Sequence, residues 1–254
     1  MKLKSFKKHN FGDLPLNRYL FEKINGKFPE IIGLDDNCSE PHLIISGSIL
    51  SHANQNSIIW GAGFMHETDQ LTVKPHRIYA VRGQLTWEIL ARQGVKAPYI
   101  FGDPALLLPK YYKARVDESI YNLGIIPHYV DLSNPLLDKF RNPGSFVKII
   151  DVYSGVESFI DQINDCSYIV SSSLHGLIVA DAYGIPNGWI KISDKVNGNG
   201  FKFRDYFTTC IRSNTVPLCI TKHISIIDLI DICEVPKLNL ALDKLEASCP
   251  IGRV

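Results

Sequence analysis

The stretch YIVSSSLHGLIVADAYGIP, residues 168–186, sets the fold class. It opens on the apolar, β-branched run of a buried strand. Three serines and a histidine then lead into LHGLIVADAYG (174–184), which is apolar almost all the way round a helical period. A strand that hands over through a polar turn to a buried helix is the repeating unit of parallel α/β structure. The same handover recurs outward from it. LIIS (43–46), SIIW (57–60), RIYAV (77–81), LGII (123–126), FVKII (146–150) and WIKI (189–192) are further candidate strands. QLTWEILARQG (84–94), with Leu85, Ile89 and Leu90 on one face and Gly94 as its stop, and GVESFIDQIND (155–165) are candidate helices. The polar break PKYYKARVDES (109–119) interrupts the alternation. We therefore expect one Rossmann-like domain over 1–112 and a second over 113–254. The second ends in helical segments from residue 222 onward, ISIIDLIDICE and KLNLALDKLEAS.

Composition narrows the function classes. The 254 residues are 45% hydrophobic and 21% charged, enough apolar surface for one large or two small cores. A net charge of +1 gives no broad field to recruit nucleic acid or an acidic membrane. The six cysteines are scattered without metal-finger spacing and read as reduced packing thiols. The basic start MKLKSFKKHNFGD lacks a following apolar core, and no run of about 18 apolar residues occurs, so we expect a cytoplasmic protein.

In an open parallel sheet the turns after the strands line up at the carboxyl edge, where ligands bind. HNFGD (9–13), SGS (46–48), WGAGF (60–64) and SSSLHG (171–176) are such turns, though plain turn chemistry explains each singly. Around 171–176, helix-start amides and the hydroxyls of Ser171, Ser172 and Ser173 suit a phosphate or carboxylate, with His175 in the first helical turn. Helix-capping serines and an interior histidine are an equally good reading. Arg82, in AVRGQLT, carries a planar fork suited to carboxylate or phosphate, or to a salt bridge. In NGNGFKFRDYF (197–207), Lys202 and Arg204 with Asp205 either close over an anion or form a solvated helix face. Asp103 in FGDPALLLP and His128 in IPHYVD occupy further turns. His9, Asn10 and Asp13 form a polar lip that binds sugar hydroxyls or caps the helix DLPLNRYLFEKI.

Taken in order, HNFGDLPLN, WGAGF, YAVRGQLT, GDPALLLP, IPHYVD, SSSLHGLIVADAYGIP and GFKFRDYF resemble the polysaccharide pyruvyl transferase family over about the first 207 residues. The resemblance implies two Rossmann-like domains facing across a cleft in a GT-B-like arrangement. It also implies phosphoenolpyruvate as donor substrate, no cofactor and no metal. The acceptor is then a sugar of a surface polysaccharide (capsule or exopolysaccharide) or of its polyprenyl-linked precursor, met at most by peripheral contact at the inner face of the cytoplasmic membrane.

On the same ground Arg82, His175 and Lys202 are catalytic, with Lys191 and Lys195 as weaker matches for the lysine. The donor set is Arg82, Ser172, Ser173, Leu174, His175, Lys202 and Arg204, on the side of the second domain. The acceptor set is Asn10, Asp13, Gly61, Gly63, Asp103 and His128. Ser173 departs from the family pattern, in which an arginine is usual two residues before the histidine, so Arg204 is a candidate substitute. The chemistry needs cations for an anionic donor and a group that gives and takes protons, and an imidazole does the latter near neutral pH. A nucleotide-sugar glycosyltransferase of the same architecture, or a non-catalytic binding module on this fold, are the competing expectations.

Overall fold

The computed structural model describes residues 1–8, 10–115, 120–141 and 146–252. His9 of the polar lip and residues 116–119 of the polar break lie outside the described residues. The chain forms two compact units: Met1–Leu107 with Gly198–Ile211 and Leu238–Val254, and Leu108–Asn197 with Arg212–Lys237.

In the first unit β1 (Lys2–Lys4), α1 (Leu14–Asn25), β2 (Glu30–Ile32), β3 (His42–Ile44), β4 (Ser57–Trp60), β5 (Arg77–Ala80) and α2 (Gln84–Arg92) follow one another. The strands form one five-stranded sheet in the order β2-β1-β3-β4-β5, each pair parallel. β3 and β4 are buried at every position, as strands covered on both faces must be. The polar members of that buried set satisfy each other. The His42 ring meets Ser57 Oγ at 2.7 Å and Glu40 O at 2.9 Å, and burial pushes its pKa down.

The second unit contains α3 (Leu108–Tyr111), β6 (Tyr121–Ile126), β7 (Val147–Ile149), α4 (Val156–Asn164), β8 (Cys166–Ser171), α5 (Leu174–Ala182) and β9 (Asn187–Lys191). The chain then contributes α6 (Phe201–Phe207) and β10 (Cys210–Ile211) to the first unit before β11 (Leu218–Cys219) and α7 (Ile226–Asp231) complete the second. The second sheet runs β11-β9-β8-β6-β7, again wholly parallel. The far end of α5 is anchored by a buried ion pair, Arg212 Nη2 to Asp181 Oδ1 at 3.0 Å, with Asn187 bonded to both.

Numbered by chain order within each unit, both sheets have the order 2-1-3-4-5. This order places a topological switch point between the first and third strands, and there the turns leave the sheet in opposite directions and open a crevice. The switch points are β1/β3 and β6/β8. The α/β reading and its two parallel sheets hold. One tail segment differs: in KLNLALDKLEAS the first two residues are strand β12 (Lys237–Leu238), and helix α8 (Leu242–Ala247) starts only at Leu242. Asn239, in the intervening turn, gives its N–H to Thr209 O instead of to a helix.

Candidate functional site

At the second unit's switch point, β6 runs into His128 and β8 into the serine turn. Ser172 binds both strand ends: its N–H donates to Ile126 O, and its Oγ accepts from His128 N at 2.8 Å. Ser171 Oγ donates to Ser173 O at 2.7 Å and accepts from Ser173 N at 3.0 Å. Two of the three hydroxyls therefore tie the turn together and neither is a helix cap. Gly176 allows this closure, because a Cβ there would lie 2.4 Å from Ser171 Oγ. Ser173 occupies the N-cap of α5 without a side-chain cap bond, Leu174 is buried, and Ser173 and His175 are half-buried at the helix start. The His128 ring is half-buried against Tyr129.

The same edge carries a residue that sequence reasoning passed over. Asp131, 1% exposed, accepts from Ser193 Oγ through Oδ1, while Oδ2 has no hydrogen-bond partner among the described residues. Its only sequence signal is its place at the end of IPHYVD.

In the first unit, the turns after β3, β4 and β5 are stitched around Arg82. The Arg82 side chain is fully buried and donates from Nε to Asp205 Oδ2 (2.8 Å), from Nη1 to Ser48 Oγ (2.6 Å) and from Nη2 to Phe64 O (2.7 Å). Asp205, on α6, also accepts from Thr86 N and Thr86 Oγ1. Two glycines make room for this cluster. A Cβ on Gly63 would sit 2.6 Å from the Arg82 guanidinium, and one on Gly83 would sit 1.9 Å from Asp205 O. Gly61, at φ +92°, likewise packs on Pro104 at 2.1 Å from where a Cβ would lie. Asp103 is fully buried, accepting from Ser46 Oγ and Ala105 N. Asp13 stands at the N-cap of α1 without capping it, half-buried, and accepts from Asn10 Nδ2 at 2.6 Å.

Lys202 also belongs to this unit. It is 7% exposed, lies over the Phe203 ring, and makes no hydrogen bond or ion pair to any described residue. Burial, reinforced by the Arg82 charge and opposed by Asp13, pulls its amine down to about 8. Arg204, two residues on and so on another face of the helix, is exposed. It lines a groove with Glu67, Trp87, Glu88 and Arg92. Of the alternative lysines, Lys191 pairs with Asp194 at the end of β9. Thiol chemistry at Cys166 and Cys233 is disfavoured, since burial holds both up at about 12. Among the described residues no three His, Cys, Asp or Glu side chains converge as a metal-binding group.

The family model for polysaccharide pyruvyl transferase matches residues 4–194. That range takes in Arg82, His128 and His175 but stops short of α6. Two relatives are the uncharacterized protein L143 of Acanthamoeba polyphaga mimivirus, 31% identical over 203 residues, and the succinoglycan biosynthesis protein ExoV of Rhizobium meliloti (strain 1021), 29% identical over 209 residues. The aligned segments take in 78% and 79% of this chain, and span 70% of L143 and 61% of ExoV. No solved structure matches the chain significantly.

Proposed function

Because the chain belongs to the polysaccharide pyruvyl transferase family, we propose that it moves the enolpyruvyl unit of phosphoenolpyruvate onto two hydroxyls of one sugar in a surface polysaccharide or its lipid-linked precursor, leaving a cyclic ketal and free phosphate. The observation that carries this reading is the shared 2-1-3-4-5 order of the two sheets. Each order puts a ligand crevice at its own switch point, and polar candidate residues cluster at both.

The donor brings a carboxylate and a phosphate, so cations must meet it. In this reading Lys202 contacts those anionic groups. Arg82 acts from behind, lending its buried charge and holding Ser48 and the Phe64 carbonyl in place. His175 exchanges protons with the sugar hydroxyls as they add. Asn10 and Asp13 hold the sugar, and Ser172, Asp103 and the glycines shape the turns. Action of Lys202 and His175 on one donor calls for a GT-B-like pairing of the units, which is part of the proposal. So is a polyprenyl-linked acceptor. Among the described residues no helix is long and apolar enough to cross a membrane; peripheral contact with such an acceptor at the membrane surface is likewise part of the proposal.

The test is mass spectrometry of lipid-linked or synthetic glycosides incubated with the protein and phosphoenolpyruvate. An added pyruvate ketal is expected. Glycosyl transfer from a nucleotide sugar, together with thermal stabilisation by a nucleoside diphosphate and none by phosphoenolpyruvate, overturns the proposal.

A further inference from the structure

Lys202 and Arg82 are two buried cations of one unit with different circumstances. Arg82 has a full set of partners, its charge balanced by Asp205 at 2.8 Å. Lys202 has no such partner among the described residues: it is 7% exposed, lies over the Phe203 ring and is bonded to no described carboxylate, carbonyl or hydroxyl. The charged groups facing it are Arg82, from the turn between β5 and α2, and Asp13, from the start of α1. A lysine kept as a fixed charge would be paired, because an unpaired buried ammonium is strongly penalised. Unpaired, it is held close to losing its proton.

We propose that Lys202 is the acid that protonates the methylene carbon of the enolpyruvyl donor, an inference that rests on the pyruvyl-transfer reading above. The donor's C2=C3 π pair takes a proton from Nζ, making C3 a methyl group and leaving positive charge on C2, shared with its ester oxygen. The first sugar hydroxyl bonds to C2 through oxygen, and its proton is taken by His175 and passed back to the neutral amine. The C2–phosphate bond then breaks, the second hydroxyl adds, and its proton leaves with phosphate. Lys202 ends as it began.

The surroundings suit the cycle. An amine near 8 gives up a proton more readily than an ordinary lysine. The arriving carboxylate and phosphate favour the charged form, so Lys202 is protonated when the donor is in place. Above about pH 8 donor binding must therefore take up a proton, and donor affinity must fall as pH rises.

Two measurements on the full chain test this. Calorimetry of phosphoenolpyruvate binding at about pH 8.5, in buffers of different ionisation enthalpy, counts protons. The wild type takes up a substantial fraction of one per donor, and Lys202→Met takes up none. In the steady state Lys202→Arg, which keeps charge but gives up no proton, should hold KM for the donor within a few-fold and lose about 100-fold or more in kcat. Should arginine not be accommodated, Lys202→Cys alkylated with bromoethylamine restores an amine of lower pKa, and the basic limb of kcat should move to lower pH. An unchanged proton count in Lys202→Met, near-wild-type kcat in Lys202→Arg, or an unmoved limb in the alkylated variant overturns the proposal while pyruvyl transfer by the wild type stands. Absence of ketal product from the wild type overturns both.

Discussion

Arg82 Nε lies 2.8 Å from Asp205 Oδ2 with both side chains wholly buried, so the turn after β5 and the helix α6 are joined by an ion pair 123 residues apart in sequence. Arg82→Lys keeps the charge but cannot reach Asp205, Ser48 and Phe64 O together. A loss of about 3 kcal/mol in chemical denaturation is expected, in line with damage to one partner of a buried pair. KM for phosphoenolpyruvate should rise in the same variant, because the Gly47–Ser48 and Phe64 turns lose their anchor. Wild-type stability with a wild-type KM would remove Arg82 from any role in the site.

The glycines beside this pair make a sharper test of packing. Gly83→Ala would drive a methyl into Asp205 O, 1.9 Å from its Cβ position, where neither backbone can give. We expect failure to fold or a loss of several kcal/mol. Gly94, at φ +67° with nothing within 4 Å of a Cβ, is the control: Gly94→Ala should lose only about 1 kcal/mol, from backbone strain alone. Equal effects on melting temperature would contradict the close approach of α6 to the Gly83 turn.

Much of this is legible in the sequence. SIIW and YIVS read as strands because a parallel strand covered on both faces is apolar at every position. β1 did not, because KLK carries a lysine at each end. Lys4 is nevertheless buried, its Nζ donating to His52 O. β2 and β11, three and two residues long, are too short to show a period. At the site, the glycine turns mark themselves, but their reason does not. Gly63 and Gly83 are small because Arg82 and Asp205 press on them, and Asp205 comes from a segment about 120 residues away that rejoins the first unit. Asp131 was hidden the same way, since its partner Ser193 is 62 positions on.

His175→Ala is expected to fold with a melting temperature within a few degrees of wild type, because the histidine is half-buried on the first turn of α5 and the core contacts of that helix run through Leu174, Leu177 and Ile178. Its pyruvyl-transfer rate should fall about 100-fold or more. An unfolded variant, or one at full rate, would return His175 to the status of a structural side chain.

His42 predicts an acid limb in stability. Burial depresses its folded pKa below the unfolded value, so folding favours the neutral ring. That contribution is complete above the unfolded value of about 6.5 and is lost as pH falls through the unfolded pKa toward the folded one. Denaturation midpoints of the wild type should therefore fall below about pH 6.5 more steeply than those of His42→Gln, which cannot take up a proton. Parallel profiles for the two proteins would mean that His42 does not titrate on unfolding.

The mechanism itself is tested by running the reaction in heavy water. A ketal methyl has three hydrogens and the donor's methylene only two, so the third must come from outside the donor. Lys202 or any other acid that exchanges with solvent between turnovers will by then carry deuterium, and nearly every product methyl should contain one. If protonation were reversible before the hydroxyl adds, the methyl would rotate and return any of its three hydrogens. Deuterium would then also accumulate in recovered phosphoenolpyruvate and in a second or third methyl position. The isotope count in product and remaining donor thus shows both whether C3 takes its third hydrogen from a source in exchange with solvent and whether that step commits the donor to transfer. A product methyl containing only light hydrogen would remove Lys202 as the acid, because its amine is recharged in every turnover by an exchangeable hydroxyl proton and must carry deuterium.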